Sequence, residues 1–104
     1  MHWREYGLWR EGVAYALDGG IWLHRFVLRG EAWAHLVSSD LNVLLDAGRD
    51  LDMPRRWLQY RPIRDPRTGV RVDAWHWDLR AERLQRAVAL AAPRVVHDNG
   101  VPRT

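Results

Sequence analysis

The sequence predicts a small α/β domain: a single-layer sheet of three to four short strands packed by two main helices, at about 39–52 and 79–92. Three observations predict it. Two apolar runs that end at glycines, 12–18 and 21–28, read as strands. Two later segments place apolar residues at helical spacing. Their alternation along the chain suits helices laid on a sheet. With 104 residues the chain has room for one modest core. We expect a single domain over 1–97 and a flexible tail over 98–104.

Residues 1–11 show no period. Gly12–Asp18 reads as a buried strand running into the Asp18-Gly19-Gly20 turn, and Ile21–Leu28 as a second strand that Gly30 breaks. From Ser39 onward, Leu41, Leu44, Leu45, Gly48 and Leu51 share one helical face, with Ser38 or Ser39 as cap and Asp40 in the first turn. Pro54 stops that helix. Residues 54–75 hold three of the five prolines and six arginines around an Asp65-Pro66-Arg67-Thr68-Gly69 turn. A hairpin-like excursion and a mobile loop both fit this stretch. In the second helix Leu79, Leu84, Ala87, Val88 and Ala91 form the apolar face, Arg80, Arg83 and Arg86 the other, and Asp78 is the expected cap. Pro93 ends it, and Arg94–His97 suits a closing strand. The predicted order is β, β, α, loop, α, β.

Composition excludes several classes of function. There is no cysteine, which removes a disulfide scaffold, a thiolate zinc site and a cysteine nucleophile. No apolar run is long enough to span a membrane, and the N-terminus lacks the pattern of a signal peptide. A soluble, cytoplasmic protein is the expectation. The net charge is only +3, but every basic residue is arginine. A GC-rich genome explains that bias, as does retention of guanidinium groups that grip phosphates through two parallel hydrogen bonds. No phosphate-binding glycine loop, serine-hydrolase elbow, zinc-protease helix or calcium loop is present.

His35 and His76 each precede a predicted helix, whose free N–H groups would favour an anion and keep a nearby imidazole neutral. Asp18, at a predicted strand end, and Asp78, two residues from His76 on the same side of an extended segment, complete a candidate catalytic set of His35, His76, Asp18 and Asp78. The same four residues would suit a divalent transition metal such as zinc, manganese or iron better than calcium. Plain structural explanations stand beside these: a turn for Asp18, helix caps for Asp40 and Asp78, aromatic surroundings for the histidines. Trp33, Trp57, Trp75 and Trp77 read mainly as core. Trp57, beside Arg55, Arg56 and Tyr60, is the best exception, able to stack on a base.

The ordered segments VAYALD (13–18), WAHLVSSD (33–40), MPRRWLQY (53–60), HWDL (76–79) and RAERLQRAVALAA (80–92) resemble the small bacterial and phage proteins grouped as domain of unknown function 4031. The resemblance spans about residues 13–96. It implies that Asp18, His35, Asp40, Arg56, Trp57, Gln59, His76, Asp78, Arg83 and Arg86 occupy the family's polar and aromatic positions. The chain departs from the pattern at Leu44-Leu45, where the family has Glu-Leu, and at Ala91-Ala92, where it has Gly-Ala. It is also one residue longer between His35 and Asp40. The family brings no activity with it.

Three functions follow as expectations. The first is binding of a phosphate-bearing ligand, a nucleotide or nucleic acid, through Arg56, Trp57, Gln59, Arg83 and Arg86. The second is a small hydrolase or nuclease, using a metal or His/Asp acid–base chemistry. The third is a protein-interaction module acting on a host protein.

Overall fold

The structure, a computed structural model, describes residues 2–95. The expected tail at 98–104 and the His97 end of the closing strand lie outside the described residues. The chain order is β1 (Arg4–Tyr6), α1 (Trp9–Leu17), β2 (Trp22–Leu28), β3 (Glu31–Ser38) and α2 (Leu41–Asp50). A 3-10 turn (Arg55–Trp57) leads to β4 (Gln59–Tyr60), β5 (Ile63–Arg64), β6 (Arg71–Val72), β7 (Trp75–Arg80), α3 (Ala81–Leu90) and β8 (Ala92–Val95).

The expected small sheet of three to four strands with two helices is overturned. Among the described residues three helices accompany a mixed six-stranded sheet, ordered β4-β7-β3-β2-β1-β8, and β5 and β6 form a separate two-stranded ribbon. β1 runs parallel to β2 and to β8, while the β2-β3, β3-β7 and β4-β7 pairs are antiparallel.

Two misread segments account for the difference. Residues 12–17 belong to helix α1, whose buried Gly12, Val13 and Ala16 follow helical spacing, and Asp18 caps its end. A short apolar run cannot by itself separate a buried strand from a helix. Gly12 lets this helix lie flat on the sheet, because a Cβ there would stand 2.0 Å from the Trp22 ring. The second segment is 31–38, which forms the long strand β3. Arg29 and Gly30, with φ of 52° and 78°, make a two-residue turn whose left-handed backbone matches the twist of a hairpin. That turn folds β3 directly back on β2.

The later helices lie near their expected places. Asp40, rather than Ser38 or Ser39, is the cap of α2, accepting from the backbone N–H groups of Asn42 and Val43. Leu79 and Arg80 belong to β7 rather than to a helix, and Arg80 stands at the cap position of α3 with no side-chain capping bond. Asp78 is therefore a strand residue and not a cap.

Residues opposite one another on paired strands share a face of the sheet. On one face Leu23, Ala34, Leu36, Trp77 and Leu79 meet Leu44, Ala47 and Leu51 of the α2 region and Leu84 and Ala87 of α3. On the other, Trp22 and Val37 pack beneath Val13 and Ala16 of α1, with Ile63 of the ribbon against them. That second cluster covers one end of its face only. Among the described residues no helix is long and apolar enough to cross a membrane.

Candidate functional site

The partly covered face carries the chemistry. In the β3-β7 register His35 lies opposite Asp78 and Val37 opposite His76, while β2 sets His24 opposite His35 and β4 sets Gln59 opposite His76. Period-2 alternation turns all five polar side chains to one side. His35 Nδ1 lies 2.7 Å from Asp78 Oδ1, and His76 Nε2 lies 3.3 Å from the same oxygen. Gln59 Nε2 donates to the other carboxylate oxygen, Oδ2, at 2.7 Å. The His35 and His76 rings are 4.6 Å apart and meet edge-on. His24 stacks on Trp22 at 4.7 Å, with its ring 6.1 Å from that of His35.

The structure thus brings His35, His76 and Asp78 together and leaves Asp18 elsewhere. Asp18 is the C-terminal cap of α1, and Arg67 donates to both its oxygens at 3.0 and 3.1 Å while also donating to the buried Asp65. This cluster ties the turn of the β5-β6 ribbon to α1. The Arg67 guanidinium holds both carboxyls below their ordinary value of 3.8. The helix-terminus explanation for the histidines also fails, since both occupy strand interiors. Sheet register is what places them side by side.

Two cavities meet at Asp78 and Gln59. One, of about 570 Å³, is lined by His24, His35, His76 and Asp78 together with Arg61 and Arg64 of the ribbon arm. The other, of about 660 Å³, is lined by Trp33, Trp57, Arg56, Arg80, Arg83 and again Asp78. Gln59 lines both. Trp57 is 44% exposed, with the Arg56 and Arg83 guanidiniums 5.9 and 5.3 Å from its ring centre.

The arginines of α3 divide in role. The α2 helix ends with Met53 N–H donating to the Gly48 carbonyl and Asp52 N–H to the Arg49 carbonyl, Asp52 having a φ of 56°. Arg86 donates to the Asp50 carbonyl, and Arg83 to those of Leu51 and Asp52. Cations here complement the negative end of the helix. Arg86 lines neither cavity of the groove and braces α3 against the end of α2. Arg83 both braces the helix and faces the second cavity.

His24 and Arg61 were not singled out from the sequence. His24 sits as far before the Arg29-Gly30 turn as His35 sits after it. Recognising that turn would have paired them. Arg61 carried no such signal, because the path of the ribbon arm depends on tertiary contacts.

Burial lowers the His24 pKa below its ordinary 6.5, and the neighbouring His35 adds to the effect. His76 is lowered too, by burial first and then by His35 and Arg61, against an opposing pull from Asp78. The unfolded chain therefore binds these protons more readily than the folded one does. Their stabilising contribution is complete above 6.5 and is lost as the pH falls from there through the lowered values. Urea unfolding midpoints should drop between about pH 7.5 and about pH 5. A midpoint that holds or rises over that interval contradicts the prediction. The Asp18 and Asp65 contributions, depending on carboxylates of lowered pKa, are lost only below 3.8 and do not overlap that window.

No protein-family model matches the chain, and neither a curated protein nor a solved structure matches it.

Proposed function

We propose that this groove binds a phosphate-bearing ligand, a nucleotide or a short segment of nucleic acid. The observation that carries the reading is the sharing of Asp78 and Gln59 by both cavities, which puts imidazoles and guanidiniums along one trough. Five arginines (Arg56, Arg61, Arg64, Arg80 and Arg83) line that trough, against Asp78 as the one carboxylate among the described lining residues. Arg80 reaches Glu31 at 3.5 Å, but Arg56 and Arg61 make no ion pair with a described carboxylate. A guanidinium without a carboxylate partner is a ready donor of two parallel hydrogen bonds to phosphate. The half-exposed Trp57 ring supplies a flat face for a base. The resemblance to the domain of unknown function 4031 proteins supplies no reaction, so the reading rests on the groove.

Titration with pyrophosphate, a nucleoside triphosphate and a single-stranded oligonucleotide, read by tryptophan fluorescence, tests it. Arg56→Ala and Arg61→Ala should each weaken binding by about tenfold, the size of one charged hydrogen bond, while Arg86→Ala leaves it unchanged. A steep salt dependence identifies nucleic acid and a shallow one a small nucleotide. Absence of binding by all three probes at about millimolar concentration sinks the reading.

A second reading, hydrolysis of a phosphoester, is favoured by the 2.7 Å contact between His35 and Asp78. With the Nδ1 proton donated to Asp78, His35 Nε2 is the proton acceptor. Water would give its proton to Nε2 as its oxygen bonds to phosphorus. The bond from phosphorus to the leaving alcohol then breaks, and that oxygen takes the proton back from the imidazolium.

A further inference from the structure

We infer that His35, His76 and Asp78 form a three-ligand site for a divalent transition metal of the zinc type, its remaining coordination positions open to the groove. Each residue offers one donor atom, and the three atoms lie within 4.8 Å of one another. His35 Nδ1 and His76 Nε2 both stand against Asp78 Oδ1, at 2.7 and 3.3 Å. All three side chains project from the interiors of two hydrogen-bonded strands, so their spacing is held by the sheet. Two imidazoles and a carboxylate, with room for water or a phosphate oxygen, is the donor set of an open zinc site.

The surroundings sharpen the choice of ion. Gln59 holds the far carboxylate oxygen, Oδ2, and so fixes Oδ1 toward the imidazoles, as an outer-shell partner does. Arg61 and Arg64 line the same cavity. Their charge opposes any cation, and it weighs most against magnesium or calcium, which rely on several oxygen ligands that this trio lacks. Zinc and iron draw on the imidazoles instead. Two consequences follow. The metal takes the place of the proton between His35 and Asp78, and that proton moves to Nε2, so the imidazole binds as its other neutral tautomer. An anion in the groove offsets the arginines, so phosphate and metal strengthen each other's binding by the same factor.

The inference rests on the groove reading for its phosphate coupling only. The test uses untagged protein stripped with chelator, titrated calorimetrically with zinc, manganese and magnesium. Expected are about one zinc per chain and no magnesium uptake. His76→Ala and Asp78→Asn, checked for fold by circular dichroism, should each weaken zinc binding by at least about 100-fold. No zinc uptake, or uptake that survives both substitutions, overturns the site. If chelated protein still binds pyrophosphate while zinc uptake fails, the metal site falls and the phosphate reading stands. Zinc uptake lost in both variants, with no pyrophosphate binding with or without metal, supports the metal site and overturns the phosphate reading.

Discussion

Replacing Trp77 with alanine should destabilise the domain by about 4 kcal/mol, the usual cost of deleting a buried tryptophan. Trp77 is 1% exposed, lies between the sheet and α2, and donates its indole N–H to the Leu44 carbonyl at 2.7 Å. Gly48 exists to admit it, since a Cβ there would stand 2.4 Å from the ring. Small domains hold only about 5–15 kcal/mol in total, so this one change removes a large share. With a urea dependence of about 2 kcal/mol per molar, the unfolding midpoint should fall by about 2 M. Trp57→Ala is the comparison. That ring is 44% exposed, and its removal should cost no more than about 1 kcal/mol. Equal losses from the two changes would show that Trp77 does not anchor the core as described.

On the hydrolytic reading, Asp78→Asn should drive binding and turnover apart. Asparagine keeps the size of the side chain but removes the one carboxylate among the described lining residues of the groove. In the presence of chelator, pyrophosphate affinity should hold or rise severalfold, because a repulsive charge has gone. Hydrolysis of a chromogenic phosphodiester should fall by about 10²–10⁴-fold. The mechanism is a change of tautomer: an amide N–H facing His35 Nδ1 demands an acceptor there, which moves the proton to Nε2 and takes away the base. Turnover within about tenfold of the parent protein would remove His35 and Asp78 from the chemistry. Loss of affinity alongside turnover would mean that Asp78 holds the ligand or the fold.

The sequence named His35, His76 and Asp78 as residues worth joining, but for a reason the fold does not supply. Helix N-termini were expected to gather them, whereas the register of β3 against β7 does so. The missing step was β3. Residues 31–38 turn Ala34, Leu36 and Ser38 to one side and Trp33, His35 and Val37 to the other, but a tryptophan and a buried valine on the groove side blur the alternation. Helix α1 was hidden for a related reason. Its polar first turn, Trp9-Arg10-Glu11, has no apolar period, so only the seven-residue run after it stood out. Asp40 was legible because a cap is local chemistry: an aspartate meets the N–H groups two and three residues on. Asp18 was not, because its partner Arg67 is remote in sequence and reaches it only through the ribbon.

The partial cover of the second sheet face has a consequence for how the molecule can evolve. α2 and α3 clothe one face, while α1 is a single nine-residue helix and shelters only the Trp22–Val37 end of the other. A longer chain could close that face and become more stable, but it would bury the imidazoles beneath apolar side chains. The exposed half of the sheet is therefore ground that a domain of this size leaves unroofed. Insertions that lengthen α1, or extend the ribbon across β7, should silence the groove before they disturb the fold.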